Sequence, residues 1–522
     1  MKRFVILLVL YIVSSIGYAQ PSSLDETFGK KGMVVASQGG DGEFAFKVVV
    51  LPNDNILQIG CTLPPNVEYE LIITHLTPDG DFDDAFGNNG RCRYPSLTGS
   101  LIYKSKAQLY PDGRLLIYGL FTSGSNSLYP FVARILANGI LDSSFGVYGI
   151  YQEPDPIFNG QFASLSIRKD GSIIALGYRG DSSNYQPTIT MLTNTGKRDA
   201  AFGVDGRITI ETAFKSLLVN DAYIDKNNKC IFGTSPLESS HFDICIIRTD
   251  LNGAPDLYFG DNGVATVSLS DNNDDLASMC ELPNGKVLCM TNMRGEIPSN
   301  TKLVQLESDG TIDESFGDWG STQIHLEKLS GYGYECILDH NGKIIIAGAA
   351  YDSLTTYLPT IFRCLSDGEP DPSFGVLGVE MINKYINGEA RAVDLQSDGK
   401  YIFTGWVYDT QSGKYCNATF RVKNTISGIN RNDTLHHFAI SLHPTPSSDN
   451  CTVTYTLPTS SDCSLTVRDE SGRAVKTFMT SEFRAAGKHE DELDLRGLAS
   501  GVYFLSLEHN GKIETAKVVV SH

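Results

Sequence analysis

The apolar positions of this chain form short runs that are separated by polar turn residues. The first stretch contains the β-branched run Met33–Val35, the apolar run Ala45–Leu51 and the tight turn Pro52–Asp54. Later stretches repeat this order with Pro-Asp-Gly or Pro-Asn-Gly turns, as in Pro111–Gly113 and Pro283–Gly285. Such turns favour β-hairpins because glycine accepts positive φ. No run follows the 3.6-residue period of a helix, so the pattern predicts four strands in about 58 residues.

A motif of the form acid-x-x-Phe-Gly-x-x-Gly occurs seven times among these strands. Its phenylalanines lie 57 to 59 residues apart: Phe28, Phe86, Phe145, Phe202, Phe259, Phe316 and Phe374. A fixed period with four strands in each repeat predicts an all-β fold, a seven-bladed β-propeller of four-stranded blades. An open solenoid is the alternative. It needs atypical terminal repeats as caps, whereas the first and last copies here look as regular as the others.

The order of the strands predicts how the ring closes. The run Met33–Ser37 comes before any hairpin, and the last repeat ends with the strand Ala418–Lys423 and no β-run after it. We expect the first run to complete the blade that contains the last strand, which would hide sheet edges. We also expect the motif phenylalanines to be buried between neighbouring blades as structural anchors, with the glycines in tight turns.

An arginine strand that ends in Asp-Gly or Asn-Gly recurs in several repeats: Arg134–Gly139, Arg248–Gly253 and Arg363–Gly368. The first copy of the preceding motif comprises Leu24, Asp25, Phe28, Gly29 and Gly32. With the hairpin turns, this order resembles the delta-60 repeat family over roughly residues 22–424. The chain departs from the family pattern where His75, Met191 and Gln305 replace the arginine. The resemblance implies a secreted bacterial β-propeller and no defined activity.

Repetition stops after Lys423, and a new pattern of short alternating strands begins at His436. Six or seven such strands over about 85 residues predict a small C-terminal β-sandwich. The segment's landmarks are Pro444-x-Pro446, Asp469-x-x-Gly472, Leu498-x-x-Gly501-x-Tyr503 and Lys517–Val520. They resemble the type IX secretion C-terminal sorting domain of Bacteroidota, although Thr445 stands where that family usually carries Asn.

The second resemblance implies a partner and a route of export. The partner is the type IX secretion machinery, and the route leads across the outer membrane. It also implies removal of the C-terminal domain, followed by attachment to surface lipopolysaccharide or by release. The alternative is an ordinary accessory sandwich domain.

The N-terminus has the three parts of a secretory signal peptide. Lys2 and Arg3 are basic, Phe4–Val13 is apolar, and Gly17–Ala19 is a small-x-small cleavage site. The apolar run is too short to span a bilayer, and no other stretch reaches that length, so we expect no transmembrane segment. The expected parts are a signal peptide at 1–19, the propeller at 20–424, a linker at 425–435 and the sorting domain at 436–522. The protein is expected on the outer cell surface or in the medium, after passage through the periplasm.

The net charge limits the classes of partner, and the cysteine content limits the metal sites and disulfides that the chain can form. The net charge is −19 and no basic stripe offsets it, so we expect no nucleic-acid partner. We also expect the protein to be a monomer. The 11 cysteines include no Cys-x-x-Cys pair, which argues against a zinc site and a dense disulfide framework. Two disulfides are candidates: Cys280 with Cys289, which flank a hairpin turn, and Cys451 with Cys463 near the C-terminus.

No catalytic spacing occurs in the sequence, which has no His-Glu-x-x-His, no Gly-x-Ser-x-Gly and no Walker loop. Asp79, Asp81, Asp83 and Asp84 cluster at one motif copy. The other copies lack this cluster, and the glycine placement does not fit a calcium loop. We therefore assign no catalytic residue, no metal site and no cofactor. Carboxylates from different blades could still converge at the mouth of the channel.

An aromatic residue borders the variable loop of six repeats: Tyr69, Tyr129, Tyr185, Phe242, Tyr357 and Tyr415. Such rings stack on sugars or bind peptides in many recognition surfaces. A residue repeated in register is also often architectural, in which case each ring would pack on its own blade. The sequence thus predicts a non-enzymatic surface or secreted propeller that binds a glycan or a protein. The alternative is a secreted polysaccharide hydrolase or lyase with carboxylates at the channel mouth.

Overall fold

The structure is a computed structural model, and it describes residues 24–37, 42–63, 69–98, 105–123, 127–153, 159–181, 184–236, 243–269, 273–294, 301–324, 326, 329–351, 357–376, 378–382, 387–424, 441–443, 447–457, 461–469, 473–485, 487–509 and 512–521. The predicted signal peptide, the predicted linker and Phe242 lie outside these residues. The chain divides after Ile426 into two compact units, and each is described by itself.

Seven antiparallel blades of four strands form the first unit, which is a seven-bladed β-propeller as the sequence predicts. Blade 1 contains β2 (Gly42–Val50), β3 (Ile56–Leu63), β4 (Glu70–Leu76) and β5 (Arg91–Thr98). Blade 2 contains β6 (Lys106–Leu109), β7 (Leu115–Ser123), β8 (Ser127–Ile135) and β9 (Ile150–Gln152). Blade 3 contains β10 (Asn159–Ile167), β11 (Ile173–Asp181), β12 (Asn184–Leu192) and β13 (Arg207–Thr209). Blades 4 and 5 contain β14 (Leu217–Ile224), β15 (Cys230–Pro236), β16 (Ile244–Thr249) and β17 (Val264–Val267); and β18 (Asn273–Glu281), β19 (Val287–Arg294), β20 (Thr301–Leu306) and β21 (Ser321–Ile324). Blades 6 and 7 contain β22 (Ser330–Leu338), β23 (Ile344–Tyr351), β24 (Tyr357–Cys364) and β25 (Val379–Met381); and β26 (Gly388–Leu395), β27 (Tyr401–Asp409), β28 (Lys414–Val422) and β1 (Met33–Ala36).

The first strand of each blade is the innermost. These strands contact one another in order around the axis, and β26 of blade 7 returns to β2 of blade 1. The ring is therefore closed, and the open solenoid is excluded. Six of the seven inner strands carry a β-bulge at the same place. A bulge re-aims the side chains beside it, which matters for the axis described below.

The N-terminal strand closes the ring. β1 pairs antiparallel with β28, so that Met33 lies opposite Phe420. Upstream of β1, the amide of Asp25 donates to the carbonyl of Arg421 at 2.8 Å. The prediction that the first β-run completes the last blade is confirmed. Backbone pairing thus joins the two ends of the propeller, and β1 covers an edge of β28.

The repeated motif joins each blade to the next one. Six motif phenylalanines are buried, and Phe202 is half-buried. Phe28 packs so closely on Gly80 of the next repeat that a Cβ at Gly80 would lie 2.9 Å from the ring. Gly139 meets Phe86 in the same way, at 2.8 Å. Since Gly80 also has a φ of +90°, both sterics and backbone conformation favour glycine at this turn.

An arginine on the third strand reinforces this joint in blades 2, 4, 6 and 7. In blade 7 the guanidinium of Arg421 lies 5.0 Å from the centroid of Phe28, and its Nε lies 3.0 Å from Oδ2 of Asp25. Its Nη1 donates to the carbonyl of Pro78 in the next blade at 2.6 Å. A planar guanidinium suits this combination of stacking and multiple hydrogen bonds.

Three repeats replace the arginine, and the joint changes with the substituted residue. His75 lies 3.0 Å from Asp83, and Gln305 donates to Asp313, so both retain a contact with the motif aspartate. Met191 has no group that could donate such a bond. The repeat with Met191 is also the one whose phenylalanine, Phe202, is only half-buried.

The second unit is a small β-sandwich, as the sequence predicts. One sheet contains β29 (Ser441–His443), β30 (Asn450–Leu457) and β33 (Gly487–Asp494), and the other contains β32 (Ala474–Arg484), β31 (Ser461–Arg468), β34 (Gly501–His509) and β35 (Lys512–Val520) in that order. Val453 and Leu493 from the first sheet share one core with Val467 and Leu505 from the second. Along β30 and β31, buried positions alternate with more exposed ones, so one side of each of these strands faces this core.

Candidate functional site

The strand directions give the propeller two different faces. In blade 1, β2 and β4 begin at the same edge, and β3 and β5 end there. This edge carries the variable loops, and we call it the loop face. The opposite edge carries the hairpin turns and the acid-x-x-Phe-Gly-x-x-Gly motifs, and we call it the motif face. Loops at one face of a rigid ring are where propellers can vary in sequence without loss of fold.

The structure brings two of the sequence-predicted aromatics together at the loop face. Tyr69 lies 6.1 Å and Tyr415 5.6 Å from Phe44, measured between ring centroids. Trp406 lies 5.2 Å from Tyr415 and 5.8 Å from Phe44, and Tyr408 lies 5.3 Å from Tyr415. We call these five residues of blades 1 and 7 the aromatic mouth. Four of its rings are half-buried and therefore keep part of their surface open to solvent.

The other predicted aromatics lie apart from the mouth. Tyr185 contacts Tyr178 of its own blade at 5.3 Å, and Tyr357 contacts Tyr351 of its own blade at 5.3 Å. Tyr129 is half-buried on β8, and Phe242 lies outside the described residues. Packing within a blade is what the architectural interpretation expects. In the mouth, by contrast, rings from two blades meet around Phe44, which sequence reasoning did not single out.

A polar group borders the mouth. Nε1 of Trp406 donates to Oε2 of Glu389 at 3.1 Å, and the guanidinium of Arg391 pairs with the same carboxylate. The guanidinium carbon of Arg391 also lies 4.3 Å from the ring centroid of Tyr334. Burial raises the pKa of Tyr334, and the nearby Glu389 raises it further, so this phenol stays protonated. Hydrogen-bonding groups next to open ring faces are what a polar ligand with apolar patches requires.

The axis of the propeller holds four charged side chains on the inner strands. Nζ of Lys47 in blade 1 lies 2.5 Å from Oε1 of Glu335 in blade 6. Nζ of Lys106 in blade 2 lies 2.7 Å from Oδ1 of Asp221 in blade 4. Because each pair joins blades that are not neighbours, the side chains meet across the axis. We call these four residues the charged collar.

Both lysines of the collar are held in their charged form. Burial lowers the pKa of Lys47, but the attraction of Glu335 outweighs it, and the pKa ends above its ordinary value. The pKa of Lys106 is raised in the same way by Asp221. Backbone amides complete the carboxylates: Val393 donates to Glu335 at 3.0 Å, and Met279 donates to Asp221 at 2.9 Å. Lysines whose pKa values are raised in this way are poor general bases at neutral pH.

Several carboxylates near the axis are therefore already engaged. Glu335 and Asp221 are paired with lysines, and Glu389 is paired with Arg391. Asp394 accepts from the amide of Val50 at 2.8 Å, and burial raises its pKa. Glycoside hydrolysis needs one carboxyl as acid and a second as base or nucleophile at a defined separation. Among the described residues, no group of His, Cys, Asp and Glu is arranged to hold a metal ion.

Neither expected disulfide is present, and both predictions are corrected. Within the hairpin of β18 and β19, Cys280 lies opposite Leu288 and Cys289 lies opposite Met279. The two cysteines are not equidistant from the turn, since Cys280 lies three residues before Pro283 and Cys289 four residues after Gly285, and they therefore lie on opposite faces of the sheet. Cys451 and Cys463 lie on strands of different sheets and are buried free thiols in the sandwich core.

Comparison with known families identifies both units. Residues 441–521 match the family described as a secretion system C-terminal sorting domain. Residues 111–145 and 341–374 match a beta-propeller described as a domain of unknown function, DUF5122. The chain is a β-propeller with a type IX sorting domain. The sorting domain indicates export through the type IX secretion system to the cell surface or beyond, and it implies contact with that machinery.

Solved structures resemble the chain only distantly. A protein of unknown function from Dyadobacter fermentans is 9% identical with a TM-score of 0.38, and the match covers 75% of this chain and 98% of that one. The polysaccharide lyase Uly1 is 10% identical with a TM-score of 0.41, over 76% and 92%. The Hadza microbial sialidase Hz136 is 11% identical with a TM-score of 0.36, over 69% and 74%. These scores carry no functional argument. No curated protein sequence matches the chain. Within the part of the chain that the structure describes, no helix is long and apolar enough to cross a membrane.

Proposed function

We propose that this exported propeller is a non-enzymatic recognition protein that binds a glycan at the loop face. The observation that carries the proposal is the aromatic mouth, in which rings from blades 1 and 7 meet around Phe44. Half-buried rings are held firmly by the blade and still offer a face to a ligand. Sugar rings present apolar C–H faces and hydroxyl edges, which match such a surface.

The polar group beside the mouth supports the same proposal. The half-buried Arg391 pairs with the buried Glu389 next to Trp406 and supplies donors for sugar hydroxyls. Their pairing orients both groups before a ligand arrives. Preorganised binding groups lower the entropy cost of association. A peptide partner is the second ligand class for this surface, and the experiment below separates the two.

The alternative, a polysaccharide hydrolase or lyase, is less well supported. It needs carboxylates or a base free to exchange protons with a substrate at the mouth. The axial carboxylates Glu335 and Asp221 instead hold lysines, and Glu389 holds Arg391. Freeing any of them would leave an unpaired charge on the partner. The paired state favours binding over catalysis.

Further parts of the proposal concern the life of the protein outside the cell. We place an N-terminal signal peptide at residues 1–19, and removal of the sorting domain after export. Attachment to surface lipopolysaccharide, or release, then follows. The mature propeller acts as a monomer.

The test is a glycan array with the purified protein, with turnover of the same glycans measured in parallel. Tyr415→Ala removes the ring that contacts Phe44, Trp406 and Tyr408, and we expect roughly a 5- to 10-fold loss of affinity, since one aromatic contact contributes roughly 1–1.5 kcal/mol. Tyr258→Ala is the matched control, because Tyr258 is a tyrosine of the motif face that is 87% exposed. It should bind as the wild type does.

Three results would overturn the proposal. Cleavage of a bound glycan would replace recognition by catalysis. Equal affinities of wild type and Tyr415→Ala, in protein with unchanged thermal unfolding, would move the site away from the mouth. Absence of glycan binding, together with saturable binding of peptides to the loop face, would show that the ligand is a peptide.

A further inference from the structure

A crevice opens on the loop face between blades 2 and 3, away from the aromatic mouth. Two guanidinium groups and one carboxylate line it, together with aromatic and hydroxyl groups: Arg179, Arg207, Glu153, Tyr178, Phe162 and Thr190. Glu153 follows the last strand of blade 2, and the two arginines belong to blade 3. The crevice is therefore built from both blades.

The arginines give the crevice a positive character. Nη2 of Arg207 lies 2.5 Å from Oε2 of Glu153, which also accepts from the hydroxyl of Tyr151 at 3.1 Å. Nη1 of Arg198 lies 3.9 Å from the other oxygen, Oε1. Burial lowers the pKa of Arg207, and the charges of Arg179 and Arg198 lower it further, although Glu153 opposes them. In a chain of net charge −19, this is a local concentration of guanidinium groups around one carboxylate.

An aromatic pair adjoins the arginines. Tyr178 lines the crevice, and its ring lies 5.3 Å from that of Tyr185 in an edge-to-face arrangement. Tyr185 is one of the aromatics that the sequence singled out, and it lies outside the mouth. Through Tyr178 it adjoins a crevice lined by two arginines, a different chemical setting from that of Tyr69 and Tyr415. Guanidinium forks match carboxylate and sulfate oxygens geometrically, while a neighbouring ring can pack on the sugar that carries them.

The geometry points to an anion subsite in this crevice, which takes the carboxylate or sulfate ester of an acidic glycan between Arg179 and Arg207. The inference rests on the proposed function, because it names one ligand class for the loop face. Hydrogen bonds to charged groups contribute about 1.5–3 kcal/mol. An acidic glycan should therefore bind at least about 10-fold more tightly than its neutral counterpart.

The experiment compares matched oligosaccharides by isothermal titration calorimetry. The three probes are oligogalacturonate, its methyl ester and a sulfated galactan oligosaccharide. The methyl ester has the same backbone as oligogalacturonate without its charge. We expect wild-type protein to prefer the acid over the ester by at least about 10-fold in low salt. The preference should shrink in 0.5 M salt because screening weakens exposed charge contacts. The sulfated probe shows whether the subsite favours sulfate over carboxylate.

Variants locate the subsite. Arg179→Gln should reduce the preference for the acid to about 2-fold or less, since it removes one guanidinium without touching the pair of Arg207 and Glu153. Lys169→Gln is the matched control, because Lys169 is an exposed cation in the hairpin turn of the same blade, on the motif face. It should retain the preference.

The outcomes also separate this inference from the proposed function. Equal affinity for acid and ester, with binding still lost in Tyr415→Ala, would overturn the anion subsite and leave glycan recognition standing. A preference for acid that survives in Arg179→Gln would place the anion elsewhere and also overturn the subsite. Binding of the acidic probe that is lost in Arg179→Gln but unchanged in Tyr415→Ala would support the anion subsite and exclude the aromatic mouth as the glycan-binding site. Absence of binding to all three probes would overturn the subsite.

Discussion

Replacement of one arginine tests whether the joint between the chain ends is the weak point of the ring. In Arg421→Met the third strand keeps an apolar side chain of similar length but loses the guanidinium. Arg421 is buried and contacts both the motif and the next blade through Asp25, Thr27 and Pro78. The substituted residue has a natural precedent, since Met191 occupies the equivalent position in blade 3.

The size of the effect follows from the contacts. Removing one partner of a buried ion pair costs about 3–5 kcal/mol because the other charge is left uncompensated. Here Nζ of Lys400 lies 3.5 Å from Oδ2 of Asp25 and would remain. We therefore expect the free energy of unfolding to fall by about 3 kcal/mol, the lower end of that range.

The matched control is Arg248→Met in blade 4. Arg248 makes the same contacts: its Nε lies 3.0 Å from Asp256, its guanidinium carbon lies 4.3 Å from the centroid of Phe259, and Lys229 lies 3.4 Å from Asp256. Its side chain is somewhat more exposed, so we expect a loss of about 2 kcal/mol. The two positions differ in one respect that matters, because only Arg421 adjoins the noncovalent seam between β1 and β28.

The assay combines urea denaturation with hydrogen exchange read by mass spectrometry. Denaturation gives the loss of stability for each variant. Exchange should become faster in β1 and β28 for Arg421→Met, and it should stay unchanged there for Arg248→Met. Local opening of weakly held segments is what hydrogen exchange reports. A loss below about 1 kcal/mol for Arg421→Met, or equal exchange in β1 for both variants, would refute the reasoning.

Three further predictions follow from single residues. Burial opposes ionisation of Asp371, but hydrogen bonds from Lys343 and others lower its pKa to about 2, so its contribution to stability should vanish as pH falls from about 4 to 2; urea unfolding of Asp371→Asn against pH should lack that change. Gly139→Ala should cost about 3 kcal/mol in thermal unfolding, and Gly342→Ala about 1 kcal/mol, since both have positive φ but only the first Cβ would meet a ring. Burial raises the pKa of Cys61 to about 12, so iodoacetamide at pH 8 should label it only after unfolding.

The shape of the propeller was predictable because it depends on quantities that a sequence displays. The period of the motif gives the number of blades, and the turn glycines give the hairpins. The place of Met33–Ser37 ahead of the first hairpin gives the closure, which β1 and β28 confirm. Each of these is a matter of order along the chain. None needs knowledge of which side chains touch.

The predictions that failed concern which face of a strand a side chain lies on and which residues meet across strands. Cys280 lies three residues before the Pro283–Gly285 turn and Cys289 lies four residues after it, so a symmetric hairpin pairs Cys280 with Leu288 and turns the two thiols to opposite faces. The aromatic mouth was predicted only in part, because Phe44 meets Tyr415 through the closure of the ring, and neither Phe44 nor Trp406 shares a repeat position with it. Contacts across a closure depend on tertiary geometry.

The charged collar was missed although a signal existed. Lys47, Lys106, Asp221 and Glu335 each lie five residues before the first residue of their hairpin turn. Charges of both signs at one repeat position, on strands that are otherwise apolar, indicate side chains that meet on a common axis. Their exact pairing still required the structure, because the bulges decide which side chains turn inward.

The collar has a consequence for how many blades the ring can contain. Each lysine reaches past one blade to its carboxylate, from blade 1 to blade 6 and from blade 2 to blade 4. A ring that closed with six or eight repeats, as could arise by loss or exchange of a blade between two chains, would shift these angles. At least one lysine would then face the axis without its partner, and an uncompensated charge at a crowded axis is costly. The four charges at the axis therefore favour a ring of seven repeats, in which both lysines lie opposite their carboxylates.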